Sequence, residues 1–588
     1  MNNINKEVFL KILNFDGNLT QRKLSELTNL SLGKINNVVG VLKNKNLITS
    51  ELTITEKGCD YLSESKVHGA IILAAGFGMR MVPINTEIPK GLIEVRGERL
   101  IERLINQLHA VNIFDITIVV GFMKEKYEYL IDKFHVKLVV NDEYAEKNNL
   151  YSLALVADEL RNCYIVPCDL WFKENPFRKF ELYSWYLVSN QKTYTSSVEI
   201  KNNLELKQVG SKEFGNTMIG LTYCDNLTGS TLASRLRSLI KDPANNQYFW
   251  EIALFQNKKC LFSGKEMDSK SVIEIDTFEQ LRDLDENSDN LNNDAINTIT
   301  HELKVKQSDI REIKVLKKGM TNRSFLFKCE GKKYIMRIPG EGTDKLVNRR
   351  NETEVYQKIQ KYHISDDVVY INAFNGYKIT EFLTGARNCD PQNFIEVKQC
   401  MDKLRELHSL KVKVDHEFDL FKQIDFYEQL RVGFPSVYPD YEVTKKNVWK
   451  LKEYVEKQSI EKSLTHIDAV PDNFLFVPQS NGAEQIRLID WEYASMQDPH
   501  VDIAMFAIYS MYSKDNVDKL IDIYFEGKCS KTIRIKIYCY IAICGLLWSN
   551  WCEYKFQLGV DFGEYSLCQY HYAKEYYQIV TGELGLDE

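Results

Sequence analysis

No two cysteines stand in a C-x-x-C spacing, although the chain has 13 of them. The paired thiolates of a structural zinc site are therefore missing, and Cys163 and Cys168, close together, have no His or Cys neighbour to complete one. Scattered, reduced thiols are expected. The N-terminus, Met1-Asn2-Asn3-Ile4-Asn5-Lys6, has no apolar core of a signal peptide. No stretch reaches the roughly 18 uncharged apolar residues that read as a membrane span, so a soluble, cytoplasmic chain is expected. Positive charge is not in excess either. The formal net charge of -7 argues against wholesale coating of nucleic acid, which needs clustered Lys and Arg. Internal repeats are absent.

What is there is an ordinary globular composition, 44% hydrophobic and 27% charged over 588 residues, enough for several packed cores and three or four domains. Residues 5–67 read as three short helices and a small hairpin, a winged helix-turn-helix pattern, with Thr20 and Ser31 as N-caps. From residue 68 to 288, β-branched strands at Ala70–Ala74, Ile116–Val120, Leu138–Val140 and Tyr164–Val166 alternate with helices. That pattern predicts a mostly parallel, Rossmann-like sheet. The polar run from Asp285 to Asp294 reads as a linker. Residues 296–588 open with three short strands and turn helix-rich after about Asp390, which predicts a small sheet lobe before a helical lobe. The expected whole is a multi-domain α/β protein.

The first strand runs into Leu73-Ala74-Ala75-Gly76-Phe77-Gly78-Met79-Arg80, followed by Pro89-Lys90-Gly91. Glycine lets backbone amides approach phosphate oxygens because no Cβ intervenes. Arg80 can fork onto outer phosphates, and Lys90 can place a point charge near the reacting phosphorus. This combination resembles the sugar-phosphate and choline-phosphate nucleotidyltransferases. Val119-Val120-Gly121-Phe122, Asn141 to Leu153 and Val166-Pro167-Cys168-Asp169 extend the likeness to bacterial choline-phosphate cytidylyltransferases. The resemblance implies nucleotide contacts from Leu73, Ala74, Ala75, Gly76, Gly78 and Gly121, and Mg²⁺ held by Asp169 and Asp276, with Glu274 the alternative to Asp276.

Further on, Lys317 to Phe325, Ile335-Met336-Arg337 and Asn348 to Glu352 supply a turn, a cationic strand residue and an acidic helix residue. These are the parts that cover and pair ATP phosphates in kinase-like folds. Then come His466-Ile467-Asp468-Ala469-Val470-Pro471-Asp472-Asn473, Leu488-Ile489-Asp490-Trp491-Glu492 and Asp498-Pro499-His500-Val501-Asp502. The set resembles the choline/ethanolamine kinase family, which implies a bilobal protein-kinase-like fold. By that resemblance Gly319, Asn322, Arg337 and Glu352 meet ATP, with Glu354 the rival of Glu352. Asp468 is the base that accepts the alcohol proton, and Asn473 and Asp490 hold Mg²⁺.

A quaternary ammonium offers no N–H, so aromatic faces and diffuse negative charge must recognise it. Trp548 and Trp551, aided by Glu492 or Asp498, are the candidates in the kinase half; Tyr151 and Trp250, then Trp171 and Tyr248, are those in the transferase half. Each is weighed against ordinary packing. The implied substrates are choline, phosphocholine, ATP and CTP, and the implied product CDP-choline, for phosphocholine decoration of a surface polymer. Ethanolamine, another amino-alcohol, a phosphonate or a sugar phosphate with UTP or dTTP are the alternatives, as is a ligand-sensing transcription regulator. For the N-terminal module, Lys34, Lys43 and Lys45 could meet DNA phosphates. Its near balance of charge favours protein interaction or homodimerisation instead.

Overall fold

Thr20 and Ser31 do begin helices: their hydroxyls accept from the amides of Lys23 and Lys34, at 3.2 and 3.4 Å. Helices α1 (Asn3–Leu13), α2 (Gln21–Thr28) and α3 (Leu32–Asn44) result. The expected hairpin after α3 is reduced to one antiparallel bridge, Ile48 to Ile54, and a fourth helix, α4 (Glu56–Ser63), follows. The computed structural model describes the chain apart from residues 16, 195, 197, 202, 211, 212, 257, 258, 319–321, 341–345, 432, 459, 559 and 586–588, and apart from the side chains of 86, 256, 259, 317, 318 and 322. The described residues form two compact units, Met1–Asn297 and Thr298–Glu588.

In the first unit, β1 (Gly69–Ala74), β2 (Asp115–Val120), β3 (Lys137–Val140) and β4 (Cys163–Pro167) lie parallel, in the order β4-β1-β2-β3. β5 (Gly215–Cys224) then joins β4 antiparallel and continues a mixed sheet of 10 strands. Strands β1, β2 and β4 are buried on both faces, which explains their near-continuous apolar runs, whereas the edge strand β3 is not. Their carboxyl ends point one way, so the loops after Ala74, Val120 and Pro167 share one edge, where ligands of open α/β sheets bind.

The N-terminal helices do not stand apart from this sheet. Val8, Phe9 and Leu10 belong to one core with Ala70, Leu170 and Trp185. Around that contact Glu7 accepts from the Tyr183 hydroxyl at 3.1 Å and pairs with Arg178 at 3.5 Å. Lys265 meets Glu181 at 3.2 Å beneath the Trp185 ring. The supposed linker is docked as well. The Asn290 side chain accepts from the Glu94 amide at 2.6 Å, Ser288 donates to the Glu94 carbonyl at 2.7 Å, Asn293 donates to Glu87 at 2.7 Å, and Leu291 is buried. The Asn, Asp and Ser residues that suggested a free tether instead satisfy backbone groups of the sheet's loops.

The second unit begins with an antiparallel five-stranded sheet made of β7 (Arg311–Lys318), β8 (Asn322–Cys329), β9 (Lys332–Pro339), β10 (Val368–Ile371) and β11 (Lys378–Glu381), with helix α5 (Arg349–Ile359) between β9 and β10 in sequence. The helical lobe includes α6 (His500–Tyr509), α7 (Lys531–Gln557) and α8 (Glu564–Leu584). By length and composition α7 could cross a membrane, contrary to the reading of the sequence, yet 83% of its most apolar window is buried within the unit. Within it Lys536 is paired with Asp498 at 2.7 Å, as befits a core helix.

Candidate active sites

Strand β6 (Val272–Glu274) pairs antiparallel with Leu170–Phe172, and the Ile275 amide donates to the Asp169 carbonyl at 3.0 Å. This pairing brings a distant part of the chain to the end of β4. Carboxylate oxygens of Asp169, Glu274 and Asp276 consequently lie within 4.8 Å of one another. Lys90 sits among them, donating to Asp169 at 2.5 Å and to Asp276, while Arg80 reaches Asp276 at 2.8 Å. Burial and the neighbouring Asp169 and Asp276 push the Glu274 carboxyl up to about 7. Three crowded carboxylates, with Asp169 Oδ1 buried and unbonded among the described residues, are a donor set that fits a hard divalent cation.

The glycine loop divides its work. Leu73, Ala74 and Ala75 are buried, so only their backbone can face a nucleotide. Gly78 takes a φ of 62°, and a Cβ at Gly76 would meet nothing, leaving room for phosphates. Gly121 answers a different need: a Cβ there would sit 2.8 Å from the Ala75 carbonyl oxygen, so it allows the β2 end to press against the nucleotide loop. Of the aromatics expected to wall the pocket, Trp250 does not: its ring is 1% exposed, packed against Tyr186 in the core. Trp171 is likewise taken, with the guanidinium groups of Arg96 and Arg103 at 4.8 and 5.2 Å from its ring centre. Tyr151 carries the Lys147 ammonium 4.2 Å from its ring centre, and Tyr248 is half exposed.

In the second unit the register of the sheet sets the first half of the site. Arg337 on β9 is the cross-strand partner of Lys378 on β11, so both cations leave the same face and converge on Glu352 of α5. Arg337 holds Glu352 through two bonds of 2.5 and 2.8 Å, Arg349 reaches it at 3.1 Å, and Lys378 lies at 3.9 Å. Burial works against this charge, yet Arg337, Lys378 and Arg349 outweigh it and hold the Glu352 carboxyl near 2. Glu354 is spent elsewhere, on Lys358 at 2.8 Å. Gly319 lies outside the described residues, and of Asn322 only the backbone, at the start of β8, is described.

The second half hangs on a hairpin, Phe474–Pro478 with Glu484–Leu488. Asn473 precedes it and Asp490 follows it, and the Ile489 amide closes the two ends by donating to the Asn473 carbonyl at 3.0 Å. The Asn473 side chain donates to Asp468 Oδ2 at 3.0 Å. Asp490 holds a left-handed φ of 66° and Ile467 one of 68°, a conformation costly to non-glycine residues and typical of functional loops. Burial, then Asp490 and Glu492, push the Asp468 carboxyl up to about 8. This crowding of acids is what a bound cation would relieve.

Reading the sequence gave no role to the residue that fixes this loop. Asp502 on α6 accepts from the amides of His466 and Ile467 at 3.0 and 2.8 Å, and His408 holds it at 2.9 Å. Its only signal was its place in the Asp498-Pro499-His500-Val501-Asp502 motif. Glu492 faces Arg349 at 3.3 Å and so belongs to the charge network around Glu352. Asp498 is committed to Lys536 and to the Tyr540 hydroxyl. Trp548 and Trp551 do meet, with ring centres 5.5 Å apart, and Tyr493 and Phe562 extend the cluster at 6.0 and 5.0 Å. Tyr493 and Phe562 carried no periodic signal.

Each unit thus carries a phosphate-handling centre: a nucleotidyltransferase in the first, a kinase-like phosphotransferase in the second. Family comparison assigns residues 70–179 to the MobA-like NTP transferase domain and 313–523 to choline/ethanolamine kinase. The chain is 34% identical over 231 residues to the choline-phosphate cytidylyltransferase of Streptococcus pneumoniae, covering 37% of this chain and 96% of that protein. It is 30% identical over 232 residues to the 2-aminoethylphosphonate cytidylyltransferase of Lancefieldella rimae, covering 38% and 94%. The crystal structure of choline kinase LicA from Streptococcus pneumoniae matches with 27% identity and a TM-score of 0.42, covering 48% of this chain and 97% of that one. The chain belongs to the bacterial choline-phosphate cytidylyltransferase family and carries a choline/ethanolamine kinase domain in the same polypeptide.

Proposed function

We propose that this chain makes CDP-choline in two steps, phosphorylating choline with ATP in the second unit and joining phosphocholine to CTP in the first. The observation that carries the reading is the presence in one chain of two separate carboxylate-rich centres, each beside its own cations. Mg²⁺, where bound by Asp169 and Asp276 or by Asn473 and Asp490, supplies charge neutralisation at the phosphates.

The residues around each centre divide the chemistry. An alcohol must lose a proton as it attacks, and Asp468, oriented by Asn473 and by the loop that Asp502 fixes, accepts it at Oδ2. Arg337, braced by Glu352, meets the ATP phosphates. Phosphocholine is already an anion at neutral pH, its second pKa being about 6, so the first unit needs no base. There Lys90 and Arg80 supply positive charge to the triphosphate as the phosphocholine oxygen attacks the α-phosphorus and pyrophosphate leaves.

The likeness to a 2-aminoethylphosphonate cytidylyltransferase favours a phosphonate as second reading. Against it, a phosphonate already has its phosphorus on carbon and gives an alcohol kinase nothing to do. The N-terminal helices suit protein interaction better than DNA reading, since α3 exposes Leu32 and Val41, while Lys34 and Lys43 are half-buried and Lys45 is exposed just past its end. Function in the cytoplasm, where ATP and CTP are available, completes the proposal. Incubating the protein with choline, ATP, CTP and Mg²⁺ and following products by mass spectrometry is the test: phosphocholine and then CDP-choline are expected. A nucleotide conjugate of another acceptor, with choline untouched, overturns the reading.

A further inference from the structure

One turn beyond Trp551 on α7 stands Lys555, whose side chain is buried, with 4% of the residue exposed. Its ammonium lies 5.5 Å from the Trp551 ring centre. Trp551 in turn packs with Trp548 and Phe562, and Trp548 with Tyr493, next in sequence to Glu492. Among the described residues two other lysines are buried, and each has a close partner: Lys378 donates to the Tyr356 hydroxyl and Lys536 to Asp498, both at 2.7 Å. Lys555 makes no ion pair among the described residues. Among the described residues the opposing charge that reaches it is Glu492, already engaged by Arg349 at 3.3 Å. Burial pulls the Lys555 ammonium below its ordinary range, and Glu492 only partly restores it.

An ammonium partly withdrawn from water and without an ion-pair partner carries a cost, and an aromatic face is what can offset it when no carboxylate does. The same faces are those that would receive the head group of an amino-alcohol. Two cations cannot share one small aromatic cluster without strong repulsion at low dielectric. We propose that Lys555 is the resident cation of this cluster and that the ammonium of the acceptor alcohol binds by displacing it. Lys555 thereby sets the affinity for the alcohol without touching the phosphate chemistry. The inference rests on the reading of the second unit as a choline kinase.

The test varies choline against the full-length chain at saturating ATP and Mg²⁺. Lys555→Met keeps the reach of the side chain and removes its charge. The KM for choline is expected to fall about tenfold, as if about 1.4 kcal/mol of repulsion were relieved, with kcat within about threefold. Lys555→Arg, which keeps the charge, is expected to hold or raise KM. The uncharged choline isostere 3,3-dimethyl-1-butanol separates charge from packing: its turnover should lose ground to choline in Lys555→Met, whereas a packing defect would move both alike. Should Lys555→Met fail to fold, Lys555→Gln serves the same comparison. A neutral variant whose choline KM is unchanged or higher at retained kcat overturns the inference and leaves the kinase reading standing. A wild-type chain that does not phosphorylate choline overturns both.

Discussion

Glu352 shows how much one side chain carries. It is buried beneath Arg337, Arg349 and Lys378, and replacing it with glutamine would remove the acid all three share, leaving Arg349 to Glu492 and Lys378 to Asp366 at 3.8 Å and breaking the ion pair of Arg337. Glu352→Gln should cost the second unit about 3–5 kcal/mol and lower the kinase rate about a hundredfold or more. Thermal unfolding and initial rates would check this, with cytidylyl transfer as internal control. The acid side gives a sign. The folded carboxyl sits at about 2 against an ordinary 4.5, so its contribution is complete above about 4.5 and is lost as pH falls toward 2; the variant should show a flatter acid limb. The contact of Asp468 with Asn473 was legible in the sequence because a short spacing on one loop encodes it, whereas Asp490 comes from the far end of the hairpin. Lys378 was not, since only strand register brings it to Arg337. Trp250 misled because composition cannot tell a pocket wall from a core ring.

Elements were legible where local physics decides them. Thr20 and Ser31 start helices through their own hydroxyls, and the apolar runs of β1, β2 and β4 mark strands buried on both faces. What failed needed tertiary partners: the polar stretch around Asn290 looked free until the Glu94 amide that donates to its side chain came into place. The same dependence governs α7. At Gly545 a Cβ would lie 2.6 Å from the Gln569 carbonyl oxygen and 2.9 Å from Tyr572 Cβ, so α7 and α8 touch backbone to backbone there. Gly545→Val should force them apart at about 1–3 kcal/mol, lowering the midpoint for heat loss of kinase activity by several degrees, about 3–10 °C. Because Trp548 stands one turn further along α7, the KM for choline should rise as well. Unaltered heat resistance would show that the helices have slack the geometry denies.

At the scale of the whole molecule, the chain divides into two compact units, with one set of carboxylates in each. Phosphocholine, product of one centre and substrate of the other, is then the only chemical link the proposal requires. That makes the two activities separable by single substitutions. Asp169→Asn removes a carboxylate from the cluster with Glu274 and Asp276 and should let phosphocholine accumulate while CDP-choline falls below about 1% of wild type. Asp468→Ala should stop phosphorylation of choline to a similar degree, yet still convert added phosphocholine with CTP. Mixing the two variants with choline, ATP and CTP should restore CDP-choline after a lag that shortens as protein concentration rises, because the intermediate must travel through solution from one chain to the other. Mass spectrometry over time reads all three arms. If Asp169→Asn abolished phosphorylation too, the units would depend on each other catalytically. If the mixture stayed silent while each variant kept its own half-reaction, phosphocholine would have to pass within a single chain.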